Sequence, residues 1–147
     1  MPSAAASSLR PWLVRWLYAA AVVHLLVGLT LTWLGDATVF EPYHRGIEAA
    51  FAGVAPPSRP LQLWWIALFG ATLQAYAVYL GALTWLGART RQPAAWAWLA
   101  AGILLWAPQD IAVSLQRGIH THLWVDLGAL ALLLPPLFWL YRHDARG

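Results

Sequence analysis

The stretch PAAWAWLAAGILLWAPQDIAVSLQRGIHTHLWVDLGALALLLPPLFWLY, residues 93–141, decides the fold. Two apolar runs flank the short polar turn at Arg117-Gly118, and each is near the roughly 20 residues a helix needs to cross hydrocarbon. Pro93 suits a first helical turn, where a missing N–H costs nothing, and Gly118 suits a helix end. The stretch therefore reads as a transmembrane hairpin, from Pro93 to about Gln116 and from about His120 to about Tyr141. Two further apolar runs precede it, from about Trp12 to Leu34 and from about Leu61 to Leu86. Pro60 again suits a helix start, and Gly35 and Gly87 suit helix ends. The expected fold class is an all-α membrane protein, a four-transmembrane-helix antiparallel bundle forming one domain over residues 1–147.

Composition agrees. Of 147 residues, 61% are apolar and 10% charged, whereas a soluble domain carries about 25% charged residues. Cysteine is absent, which excludes disulfides, thiol catalysis, iron–sulfur ligation and c-type haem attachment. The nine basic residues are all Arg, and they lie in short turns beside apolar segments. The net charge of +3 thus reads as topology signalling rather than nucleic-acid binding. Arg10, Arg15, Arg89, Arg91, Arg142 and Arg146 fall on one side, and Arg45, Arg59 and Arg117 on the other. The positive-inside rule then puts both termini in the cytoplasm. Trp12, Trp16, Trp85, Trp96, Trp98 and Trp139 would mark the inner interface, and Trp33, Trp64, Trp65 and Trp124 the outer one, with Trp106 deeper. The Ala, Leu, Arg and Trp bias suggests a bacterial inner membrane.

The first apolar run is long for a signal-peptide core and lacks a small-x-small cleavage site, so it reads as an uncleaved helix. In the long first loop, Tyr43 to Phe51 is expected to form a short extracytoplasmic helix with Pro42 at its start. Ala55-Pro56-Pro57-Ser58 reads as a stiff connector.

Polar groups inside a bilayer are costly, so each asks for a partner or a purpose. Asp110 lies eight residues before Gly118 and Asp126 eight residues after it. A tight antiparallel turn would set both carboxyls roughly 12 Å below the outer turn, at 1.5 Å per residue. Two carboxyls at one depth in low dielectric resist joint ionisation, which suits proton exchange and acid–base work. Helix packing is the ordinary alternative. His24 lies in a stripe of Ala20, His24, Gly28 and Thr32, and Gln74 has a stripe of Ala67, Ala71, Ala77 and Gly81. Small faces of this kind let helices approach closely. Each helix thus offers one inward polar candidate: His24, Gln74, Asp110 and Asp126. His24, Asp110 and Asp126 are the candidate catalytic set. Gln74, Tyr76, Trp106, Gln109, Ser114 and His122 are candidate ligand contacts.

The outer rim holds Asp36, Glu41, His44, Arg45, Glu48, Gln109, Arg117, His120 and His122. His120 and His122, with His44 or Asp126, are the only weak metal candidates, and their spacing is not a metal signature. No metal is assigned. Haem would need histidines at matched depth, and His24 lies roughly 15 Å below His120 and His122 by the same helical rise. No cofactor is firmly implied, and a lipid or a quinone is the ligand left open. Pro108 and Pro135-Pro136 each remove a backbone hydrogen bond, and Pro108 is expected to splay the outer part of the bundle into a shallow cavity.

The span pattern, with Trp106-Ala107-Pro108-Gln109-Asp110 running through Ser114 to Asp126, resembles the DoxX-like group of bacterial membrane proteins, including the BphX-like ones. That resemblance implies a compact four-helix protein linked to redox or envelope pathways. A second similarity, to four-helix sterol-isomerase-like membrane domains that use intramembrane acids, carries no site residues over. Three functions follow in order of preference. The first is an accessory or binding subunit holding a lipid, quinone or partner helix in a groove open to the outer leaflet. The second is an intramembrane enzyme using the Asp/Asp/His cluster on an apolar substrate. The third is a proton-coupled small transporter acting as an oligomer. The partners expected are membrane lipid and either a homo-oligomer or a larger membrane complex.

Overall fold

The computed structural model describes residues 4–51 and 58–146. Its elements are α1 (Ala4–Trp33), one turn of 3-10 helix (Thr38–Phe40), α2 (Glu41–Ala50), α3 (Ser58–Thr90), α4 (Pro93–Gln116) and α5 (His120–Asp144). Four of them, α1, α3, α4 and α5, are long and apolar enough to cross a membrane. Helices suit that setting because every backbone group is satisfied within the segment. The chain is an all-α four-helix bundle, with α2 as the short helix in the first loop. Residues 55–57 of the expected stiff connector lie outside the described residues, and Ser58 begins α3.

The turns follow from local chemistry. Gly118 has φ +72°. Its N–H donates to the Leu115 carbonyl at 3.1 Å, and the Ile119 N–H donates to the Ser114 carbonyl at 2.9 Å. That pair of bonds is the Schellman helix stop, which needs a residue comfortable at positive φ. Gly87 does not end α3 as expected. The helix runs on to Thr90, and Arg91 takes the left-handed position at φ 53°, its N–H donating to the Gly87 carbonyl at 3.0 Å. Gly87 serves packing instead. A Cβ there would lie 2.7 Å from the Trp96 ring.

The four long helices form two tight pairs, α1 with α3 and α4 with α5, and the pairs touch each other much less. Glycines bring α1 and α3 together. A Cβ on Gly28 would lie 2.7 Å from the Gly70 carbonyl oxygen, and a Cβ on Gly70 equally close to the Gly28 carbonyl oxygen. Thr32 seals this crossing, its hydroxyl donating to the Gly28 carbonyl at 2.8 Å and facing the Ala67 carbonyl at 3.3 Å. Gln74 donates to the Thr32 hydroxyl at 3.0 Å. Gln74 therefore belongs to the α1–α3 seam and does not face a common axis.

The buried core sits at one end, the side carrying both termini. It comprises Leu13, Val14, Leu17 and Ala21 of α1, Leu80 of α3, Trp96, Leu99 and Ile103 of α4, and Leu133, Leu137 and Leu140 of α5. A polar clamp closes that end. Arg10 donates from Nε and Nη2 to the two carboxylate oxygens of Asp144 at 2.8 and 2.9 Å, and from Nη2 to the Gly87 carbonyl at 3.2 Å. Trp96 Nε1 and His143 Nδ1 donate to the same carboxylate at 2.9 and 3.0 Å. The clamp joins all four long helices. Arg10 is thus more than a topology signal, and Trp96, expected in the interfacial belt, is fully buried.

Pro136 adds a second cross-link. It has no N–H to offer the carbonyl four residues back, Leu132. Trp16 Nε1 donates to that freed oxygen at 3.0 Å, tying α1 to α5.

Candidate functional site

The other half of the bundle is not filled. Between the two helix pairs, on the side carrying α2 and the α4–α5 turn, lies a cavity of about 1010 Å³. Its walls are mainly apolar, including Val23, Val27 and Leu31 of α1, Ile66, Phe69 and Leu73 of α3, and Val125 and Ala129 of α5. The expected shallow cavity is in fact a large one, at the top of the usual range for ligand sites. α2 lies over it, contributing Tyr43, Ile47 and Glu48.

Asp110 and Asp126 both line this cavity, as their symmetric spacing about Gly118 requires. Asp110 Oδ2 stands 3.6 Å from His122 Nδ1, and Ser114 Oγ reaches Asp110 Oδ1 at 3.5 Å. In the tautomer that carries its N–H on the Asp110 side, Nε2 is an acceptor. The Tyr43 hydroxyl donates to it at 2.6 Å, with the two rings stacked at 5.4 Å between centroids. Burial, and then the Asp110 charge, pushes the Tyr43 phenol up from its ordinary pKa. The phenol therefore remains a donor. Asp110, His122 and Tyr43 form a chain from α4 through α5 to α2.

Asp126 is different. It is 1% exposed, and its Oδ2 has no hydrogen-bond partner among the described residues. A buried carboxyl oxygen left in this way is costly, and the residue that carries it lines the cavity.

His24 also lines the cavity. Its Nδ1–H donates to the Ala20 carbonyl at 2.7 Å, since a carbonyl can only accept, and its ring meets Tyr76 edge-on at 5.4 Å. Tyr76 itself packs against the core and is not among the cavity residues. Trp106 is one of them. Gln109 is exposed and turns back to its own helix, on the Leu105 carbonyl.

The rim ties α2 down. Arg59 donates to Glu48 at 2.6 Å and to Glu41 at 3.4 Å, and Arg45 pairs with Glu41 at 3.1 Å. Arg45, followed by Arg59, holds the Glu41 carboxyl below its usual pKa. His44 is fully buried and donates from Nε2 to the Gly35 carbonyl at 2.6 Å, fastening α2 to the end of α1. His120 is exposed and away from the cavity. Among the described residues, no three His, Asp or Glu side chains are grouped to hold a metal ion.

Of the residues proposed from sequence, His24, Trp106, Asp110, His122 and Asp126 come together around one cavity, with Ser114 behind Asp110. Gln74, Tyr76 and Gln109 lie elsewhere. The sequence reading missed Tyr43 and Gln62, both of which line the cavity. The start of α2 gave the only signal for Tyr43, an aromatic next to Pro42 on a loop helix. No family model, no curated protein and no solved structure matches the chain.

Proposed function

We propose that this chain is a binding or accessory subunit of the bacterial inner membrane, with both termini cytoplasmic, which holds an amphiphilic molecule such as a lipid or quinone in a groove facing the outer leaflet. The observation that carries the reading is the cavity of about 1010 Å³, apolar along its walls and polar at Asp110, Asp126 and His122. An amphiphile matches that division, with its chain along the walls and its head at the acids. The division of arginines, six against three, supports the orientation.

The test is to purify the full chain in mild detergent and identify what it carries by mass spectrometry. We expect one class of amphiphile retained near one per chain, and retained less by Ala129→Trp, which sets an indole into the cavity wall. A wild-type chain free of any lipid-like molecule would sink the reading.

The Asp110–His122–Tyr43 chain favours a second reading, an enzyme exchanging protons with an apolar substrate. It requires Asp110→Asn and Asp126→Asn to abolish turnover in folded protein, and full activity in both variants would rule it out.

A further inference from the structure

The fully buried side-chain atoms left unpaired on described residues that line the groove are of one kind. Asp126 Oδ2 and Gln62 Oε1 are buried without a partner among the described residues, and both side chains line the cavity. His24 also lines it, and with Nδ1–H committed to the Ala20 carbonyl, Nε2 offers only a lone pair. The imidazole of His122 is bonded to Tyr43 at one end and stands 3.6 Å from Asp110 at the other. Oxygen and bare imidazole nitrogen accept hydrogen bonds. The acids and His24 therefore present acceptors, and the amide and indole N–H groups that line the groove belong to Gln62, Trp65 and Trp106.

Its charge has the same sense. The chain has no Lys, and no Arg is among the described residues that line the cavity. Arg59, the nearest rim cation in the network, is already held by Glu48 and Glu41. Asp110 and Asp126 remain. A phosphate or carboxylate head placed there would be repelled and would find no cation to neutralise it.

We infer that the groove selects amphiphiles whose head donates hydrogen bonds and carries no negative charge, a hydroxyl or an amine on a long apolar body, and rejects anionic lipid heads. This rests on the proposed binding function and narrows it.

The experiment uses the full chain in phosphatidylcholine nanodiscs, with radiolabelled hexadecanol as the probe. Unlabelled hexadecanol, hexadecylamine, hexadecyl methyl ether and palmitate compete for it. The alcohol and the amine should displace the probe at least about tenfold better than the ether, which keeps the oxygen but loses the donor, since one hydrogen bond to a charged group is worth that factor. Palmitate should be the weakest. The amine outranking the alcohol identifies a cationic head, and the reverse identifies a neutral one. Asp126→Asn, which adds an amide donor, should bring the ether up and lower the amine about tenfold. Gln62→Leu, on α3, should narrow the alcohol–ether gap in a separately folded protein. An ether or palmitate equal to the alcohol in the wild type would overturn the inference and leave groove binding standing. Absence of saturable hexadecanol binding, in a chain that also purifies free of lipid, would take down the binding function itself.

Discussion

Each half of the bundle buries one aspartate, and the fold treats the two in opposite ways. Asp144, on the side of the termini, receives Arg10, Trp96 and His143. Asp126, on the side of α2, keeps an oxygen with no partner among the described residues. Around Asp144 the helices interdigitate over Leu17, Leu80, Trp96 and Leu137, all fully buried. Around Asp126 they part to leave about 1010 Å³. A buried charge that is fully paired belongs to the scaffold. One left unsatisfied beside an empty volume costs stability that packing elsewhere must offset, which is the pattern expected of a binding site.

The same substitution at the two positions should break the symmetry most clearly. Asp144→Leu strands the Arg10 guanidinium, and losing one partner of a buried ion pair costs about 3 kcal/mol. Asp126→Leu removes an unsatisfied carboxyl and should leave the ligand-free protein unchanged or about 1 kcal/mol more stable. Thermal unfolding in mild detergent separates them, and equal losses at both sites would refute the distinction. A smaller contrast concerns packing. Leu17→Ala should cost about 2 kcal/mol through lost contacts, the lower end of the range for core truncation, because leucine is as comfortable in lipid as in the bundle. Leu31→Ala, beside the cavity, should cost under about 1 kcal/mol by the same reasoning, since the space it leaves joins one already open.

The loop-side pair of acids was legible in the sequence because a glycine turn fixes register. Eight residues either side of Gly118 brings Asp110 and Asp126 to one cavity whatever else the helices do. The rotation of each helix was not legible. These helices are apolar on every face, so no polar stripe points away from the core, and rotation is set by close packing. Hence Gln74 fell into the α1–α3 seam and Gln109 turned outward. Trp96 failed for a related reason. A tryptophan near a helix end looks the same in sequence whether it meets headgroups or a buried carboxylate, and only Gly87 and Asp144 across the bundle decide it. Tyr43 was hidden because a loop helix carries no register with the spans.

Trp16→Phe tests whether the filled half depends on its proline. The Leu132 carbonyl, freed by Pro136, would lose its donor, for about 1 kcal/mol of destabilisation. A Pro136→Ala change restores the backbone donor, so in that background Trp16→Phe should cost much less. An undiminished cost there would mean that the indole matters only through packing.

The smallest effect concerns how α2 closes the open half, and its sign follows from Tyr43. A free phenol titrates near pH 10. With α2 docked, burial and Asp110 raise that value, so the docked state holds its proton where an undocked one has lost it. The contribution of Tyr43 to docking is therefore constant below about pH 10 and declines as pH rises from there through the raised value. Hydrogen exchange over residues 41–50, corrected for the intrinsic base-catalysed rate, should show protection falling above about pH 10 in the wild type. In Tyr43→Phe, protection should be lower by about 1 kcal/mol at neutral pH, from the lost bond to His122, and should not fall further in that window. If the Phe variant shows the same alkaline loss, the Tyr43–His122 contact is not what holds α2 over the groove, and the rim pairs of Arg59 with Glu48 and Glu41 carry the closure.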